Sequence, residues 1–157
     1  MQIKDTLPRA VALAVAAGLA TIVAISAPRR VAADNDVRGR GCSESTLRGD
    51  YAFAIDGQIL AGPKAGLLRG VAMTHFDGDG GLSQVDFTTI NGVPIGTDWR
   101  PGTGSYEINA DCTGKAQINF TDGSPALHLR LVVADRGDQV RTIVEGNATG
   151  SFGTRVR

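Results

Sequence analysis

The chain has 157 residues, with 16 basic and 16 acidic side chains that balance to a net charge of zero. This length suits one small domain. A balance that turns acidic once the basic N-terminal segment is removed argues against a general nucleic-acid binder, which needs a basic surface to meet phosphates.

At the N-terminus, Lys4 and Arg9 precede an uncharged apolar run from Ala10 to Ala27. A basic start followed by an apolar middle is the layout of a secretory signal, so the segment 1–33 is expected to be a signal helix. Val31-Ala32-Ala33 supplies the small residues of a cleavage site, and Asp34 becomes the new N-terminus. The alternative is an uncleaved anchor, because about 20 apolar residues span a bilayer. Cleavage removes Lys4, Arg9, Arg29, Arg30 and Asp5, which leaves the remainder net acidic. The expected location is secreted or periplasmic, with neither membrane nor nucleic acid as a partner after cleavage.

Residues 34–41, Asp-Asn-Asp-Val-Arg-Gly-Arg-Gly, are polar and aperiodic and read as a flexible leader. From Cys42 onward the pattern changes. Tyr51, Phe53 and Ile55 alternate with smaller residues, the period of a strand with one buried face. The same period recurs over 67–76, 82–90, 104–110, 115–121, 126–134, 139–145 and 149–156. Between these runs lie turns built on glycine with aspartate or asparagine, among them Asp77-Gly78-Asp79-Gly80-Gly81, Asn91-Gly92 and Asp122-Gly123, residues that accept the positive φ of tight hairpins.

Leu127, Leu129, Leu131 and Val133 set against His128 and Arg130 show how one face is buried and the other wet. Eight sequential strands of this kind predict an all-β fold: a single antiparallel up-and-down barrel in a meander over 42–157, with a two-sheet sandwich as runner-up. Gly92 to Thr103 contains Pro94, Pro101 and Gly102 and is expected to loop over one barrel mouth. In that loop Trp99, between Asp98 and Arg100, either anchors a ligand or plugs the end.

Cys42 and Cys112 both survive cleavage, and an even count in an exported chain predicts a disulfide between them, with two free thiols as the alternative. No second cysteine or histidine lies at ligand spacing, so no metal site and no cofactor are expected.

Cys42, Leu47, Gly49, Tyr51 and Phe53 form a Cys-x4-Leu-x-Gly-x-Tyr-x-Phe pattern that resembles the start of a group of uncharacterised exported bacterial proteins. Thr74 to Gly80 and Gly104 to Gly114 resemble the same group. Gly49-Asp50-Tyr51 is also similar to the Gly-x-Trp of lipocalin-like (calycin) barrels, with tyrosine in place of tryptophan, and the strand plan is similar to allene-oxide-cyclase-like barrels. The resemblance implies a barrel with a preference for apolar small molecules, and it transfers no catalytic residue.

Candidate chemistry is sparse. Asp77 to Gly81 invites calcium, but the sixth and twelfth positions of an EF-hand loop fall on Leu82 and Thr88, so a glycine-rich hairpin is expected. His75 and Asp86 flank one hairpin at similar distances from its tip and could be cross-strand neighbours, as an acid–base pair or a surface pair. His128 alternates with leucines and is expected to face solvent. Ser105 and Ser124 lack the Gly-x-Ser-x-Gly elbow. No catalytic residue is assigned.

Three functions remain. The first is a non-catalytic barrel that holds a small apolar molecule, with Tyr51, Phe53, Ile55, Trp99, Tyr106 and Phe120 as contact residues. The second is a cyclase or isomerase that confines an apolar substrate, using His75 or Asp86. The third is an exterior interaction module acting through a strand face or the Gly92 to Thr103 loop.

Overall fold

The computed structural model describes residues 41–157; the expected signal segment 1–33 and leader residues 34–40 lie outside the described residues. Nine strands follow in order: β1 (Gly49–Ile59), β2 (Gly66–Phe76), β3 (Gly81–Ile90), β4 (Val93–Pro94), β5 (Arg100–Ile108), β6 (Thr113–Phe120), β7 (Leu127–Ala134), β8 (Gln139–Val144) and β9 (Ala148–Arg155). Eight of them form a closed antiparallel meander, in which β1 pairs with both β2 and β9 and the two-residue β4 is an appendage of β3. Closure pairs both edges of every long strand, which removes the unpaired backbone groups of an open sheet.

Inside the ring, alternate residues supply the core. Tyr51 and Phe53 on β1, Phe76 on β2, Tyr106 and Ile108 on β5, Ile118 and Phe120 on β6, and Leu129, Leu131 and Val133 on β7 are all buried. The register shows how tightly the wall is drawn around these side chains. Gly153 on β9 lies opposite Phe53, and a Cβ on it would lie 2.4 Å from the Phe53 ring, so the ring takes the space a side chain would occupy.

One end of the barrel is sealed. Residues Cys42 to Leu47 include a single 3-10 turn (Glu44–Thr46) that crosses this end, and Leu47 is 0% exposed. Above it Tyr51, Phe76 and Tyr106 stack edge to face, with ring centroids 5.3 and 5.0 Å apart. The Tyr106 hydroxyl shares its one proton between the carbonyls of Leu47 (2.9 Å) and Glu44 (3.0 Å) and accepts from the Gly78 N–H (3.0 Å). The Tyr51 hydroxyl donates to the Gly137 carbonyl. Cys42 and Cys112 form a disulfide that ties the crossing segment to the β5–β6 turn, with Cα atoms 5.0 Å apart.

Two stretches differ from the sequence reading. β5 begins at Arg100, so Pro101 and Gly102 belong to a strand and not to the expected loop. Proline is tolerated this early in a strand because few ladder bonds have begun there. The Asn91-Gly92 pair closes a tight β3–β4 hairpin, both residues having positive φ (50° and 81°), which shortens the irregular part to 95–99.

Candidate functional site

The other end of the barrel is not sealed, and the interior beneath it is incompletely filled. A cavity of about 70 Å³ runs from a floor at Phe76, Leu82 and Val140 to a mouth at Ile55, Leu127 and Val144. The three mouth residues are only half-buried. The space exists because small side chains, Ala72 on β2 and Ala116 on β6, occupy inward positions where a leucine would close it.

Polar groups enter this apolar chamber from two sides. On β2 and β3, Thr74, Gln84 and Asp86 line it; on β8 and β9, Thr142 and Ser151 do. Since β8 is four strands from β3 either way round the ring, the two sets face each other. The Thr142 and Ser151 hydroxyls bond each other at 2.7 Å, the Thr74 hydroxyl donates to Gln84 Oε1 at 3.4 Å, and Gln84 Nε2 donates to Asp86 Oδ2 at 3.4 Å.

Asp86 is the buried carboxylate of the interior, 3% exposed, and Arg100 at the start of β5 holds it in a two-pronged grip. Arg100 Nε donates to Oδ1 at 3.0 Å and Nη2 to Oδ2 at 2.8 Å. The two strands are in direct register here, Asp86 opposite Arg100. The guanidinium also lies 3.6 Å from the centre of the Phe120 ring, which fixes its plane by cation–π attraction. A buried ion pair of this kind adds little stability over an apolar pair of similar volume, because both charges lose their water. Its presence beside a hollow therefore points to a use other than stability.

The residues expected to contact a ligand fall into three places. Phe53 and Ile55 line the cavity. Tyr51 and Tyr106 lie at the sealed end, and Phe120 is covered by Arg100 near the open end. Trp99 does not plug the barrel: it is 50% exposed and its ring lies 6.1 Å from that of Phe87 on the outer wall. The His75–Asp86 pairing is also corrected. β2 and β3 pair His75 with Ser83 and Ala72 with Asp86, so the two side chains point to opposite faces. His75 is exposed and bonds Asp50 on β1 at 2.7 Å, while Asp86 points inward. His128 is exposed, as expected.

Alternation in the sequence contained the signal for the Asp86–Arg100 pair. Counting back in twos from Tyr106 through Gly104 and Gly102 reaches Arg100, and counting forward from Leu82 through Gln84 reaches Asp86. Charge at an inward position conflicts with an apolar-core reading, and only the register between β3 and β5 reveals that the two charges meet.

Ionisation elsewhere follows local bonding. Burial pushes the Tyr51 and Tyr106 phenols above their usual range. Asp77, Asp111 and Asp122 are lowered by donors within their own turns: the Asp79 and Gly81 N–H groups, the Thr113 hydroxyl and N–H, and the Ser124 N–H respectively. Asp77 Oδ1 accepts from Asp79 at 2.7 Å and from Gly81 at 2.9 Å, so this carboxylate organises the hairpin. Among the described residues no cluster of three or more His, Cys, Asp or Glu could hold a metal ion, and no helix is long and apolar enough to cross a membrane.

No protein family matches the chain, and no curated protein or solved structure does either.

Proposed function

We propose that the protein is an extracytoplasmic, non-catalytic barrel that takes up one small, mainly apolar molecule through its open end. The observation that carries the reading is the contrast between a chamber walled by Phe53, Ala72, Ala116 and Ile118 and the fixed polar groups that face into it. Apolar walls with a few placed polar groups are what a small-molecule site requires. Supporting the compartment are the Cys42–Cys112 disulfide, which persists in oxidising surroundings, and the signal-like pattern of residues 1–33.

A cyclase or isomerase is less well supported. His75 bonds Asp50 on the outside, and Asp86 is neutralised by Arg100 through both of its oxygens, which makes it a weak base.

Native mass spectrometry of the protein recovered from the exported fraction, followed by calorimetry with medium-chain alcohols, esters and acids, tests the proposal. A single bound molecule, lost when Ala116→Phe fills the chamber, is expected. No co-purified mass and no binding by any of these compounds would defeat it.

One observation favours a second reading, an interaction module. Outward residues in direct register make an apolar band around part of the barrel: Phe152 on β9, Ala54 on β1, Val71 on β2 and Phe87 on β3, extended by Trp99. Met73 and Val85, in register beside it, widen the band. Contiguous exposed apolar surface marks contact sites. The band does not encircle the barrel, since Glu107–Lys115 and Arg130–Glu145 ion pairs cover the outer face of β5 to β7, unlike the all-round belt of a membrane-spanning barrel. Light scattering across a concentration series tests this reading: self-association abolished by Val71→Asp supports it, and a monomer throughout opposes it.

A further inference from the structure

We propose that the molecule held in the barrel carries a neutral hydroxyl head group that donates a hydrogen bond to Asp86, and that the chamber rejects the corresponding carboxylate. This rests on the small-molecule reading above and adds the head-group chemistry.

Asp86 lines the chamber and Arg100 does not, although both border the hollow beside the 95–99 loop. A carboxylate inside the chamber therefore faces Asp86 and not the guanidinium, in a region where apolar walls weaken screening. To reach the guanidinium it would have to displace Asp86 from two bonds of 3.0 and 2.8 Å, and would leave Asp86 buried without a partner. A cation faces the converse difficulty: Asp86 is already neutralised, so an ammonium would add an uncompensated charge.

A hydroxyl meets neither obstacle. A carboxylate offers about four acceptor positions. Asp86 uses one on Oδ1, for Arg100 Nε, and two on Oδ2, for Arg100 Nη2 and Gln84 Nε2. One position on Oδ1 remains, which suits one O–H donor.

Size sets the rest of the molecule. The empty space is about 70 Å³, roughly half of the ~150 Å³ cavity that accommodates benzene. It takes the head group and the first few carbons, so an aliphatic tail leaves between the half-buried Ile55, Leu127 and Val144 at the mouth. The ligand class is thus a primary or unhindered secondary aliphatic alcohol.

The test is calorimetry of the purified full-length protein with 1-octanol and with octanoate at neutral pH, repeated with Asp86→Asn. The expected result is that octanol binds at least about tenfold more tightly than octanoate, as burial of an unpaired charge requires. With Asp86→Asn that ratio is expected to fall several-fold, because the variant keeps an acceptor oxygen and loses the repelling charge. Octanoate binding as tightly as octanol would overturn the head-group assignment and leave the small-molecule reading standing. An unchanged ratio in Asp86→Asn would overturn the role of Asp86. Binding of neither compound by the wild-type protein would count against both proposals. The wild-type comparison needs no variant, so a failure of Asp86→Asn to fold does not remove the test.

Discussion

The two ends of the barrel are built on opposite principles. At the sealed end the core side chains are fully packed and both phenol hydroxyls are bonded to backbone: Leu47, Tyr51 and Val140 have no exposed surface, and a disulfide clamps the crossing segment. At the open end Ile55, Leu127 and Val144 remain half-exposed, a charge pair sits where an aliphatic pair would pack, and space is left empty. Packing that gives up contacts and desolvates charges costs stability. The sealed end supplies stability, and the open end is free to spend some on a site.

That contrast can be broken most forcefully at the clamp. Removing the disulfide with Cys42→Ser and Cys112→Ser, which opens a separation of 70 residues, should destabilise the fold by about 4 kcal/mol in the chain-entropy account. Urea unfolding measures this, and octanol binding should survive under conditions where the variant stays folded. At the open end, Asp86→Ala leaves Arg100 without its partner and should cost about 3 kcal/mol. The double variant Asp86→Leu with Arg100→Met should recover most of that loss while losing discrimination between alcohol and acid. If the double variant is as unstable as the single one, the pair belongs to the structural half of the comparison.

Smaller changes sharpen the same division. Tyr106→Phe should cost about 2 kcal/mol, because the buried Gly78 N–H loses its partner. It should leave ligand affinity unchanged, since Tyr106 does not line the cavity.

Acid and base should act mainly away from the chamber. Asp77, Asp111, Asp122 and Glu44 have folded pKa values below their unfolded ones, so their contribution is present above about pH 4 and is lost as the pH falls through the folded values. Tyr51 and Tyr106 are shifted upward. Their contribution is complete below about pH 10 and is lost as the pH rises through the folded values. Thermal unfolding across pH should show a plateau between these limits. The smallest effect concerns Trp99: its emission should be almost unaltered by octanol, because the ring lies against Phe87 outside the barrel.

The sealed end was more legible in the sequence than the open one, for a physical reason. Tyr51, Phe53, Tyr106, Ile108, Leu129 and Leu131 follow the rule that alternate apolar residues point inward, and the Asp-Gly and Asn-Gly turns between such runs order the meander. β3 inverts this rule. Its inward row is Leu82, Gln84, Asp86 and Thr88, and its outward row holds Val85 and Phe87, which join the apolar band on the wall. A strand whose outer face is the more apolar cannot be oriented from its own pattern. Pro101 and Gly102 carry a loop signal although they continue β5, and this masks the inward position of Arg100. Equal distance from a hairpin tip does not fix register, so His75 stands opposite Ser83 on β3 and Asp50 on β1, and its side chain bonds Asp50.

The most direct measurement is a crystal structure of the protein grown with 1-octanol. The account predicts one molecule with its oxygen at Asp86, its first carbons between Phe53 and Ala116, and its tail passing Leu127 towards solvent. A chamber closed by its own side chains, with octanol only on the outer band at Val71 and Phe87, would contradict it.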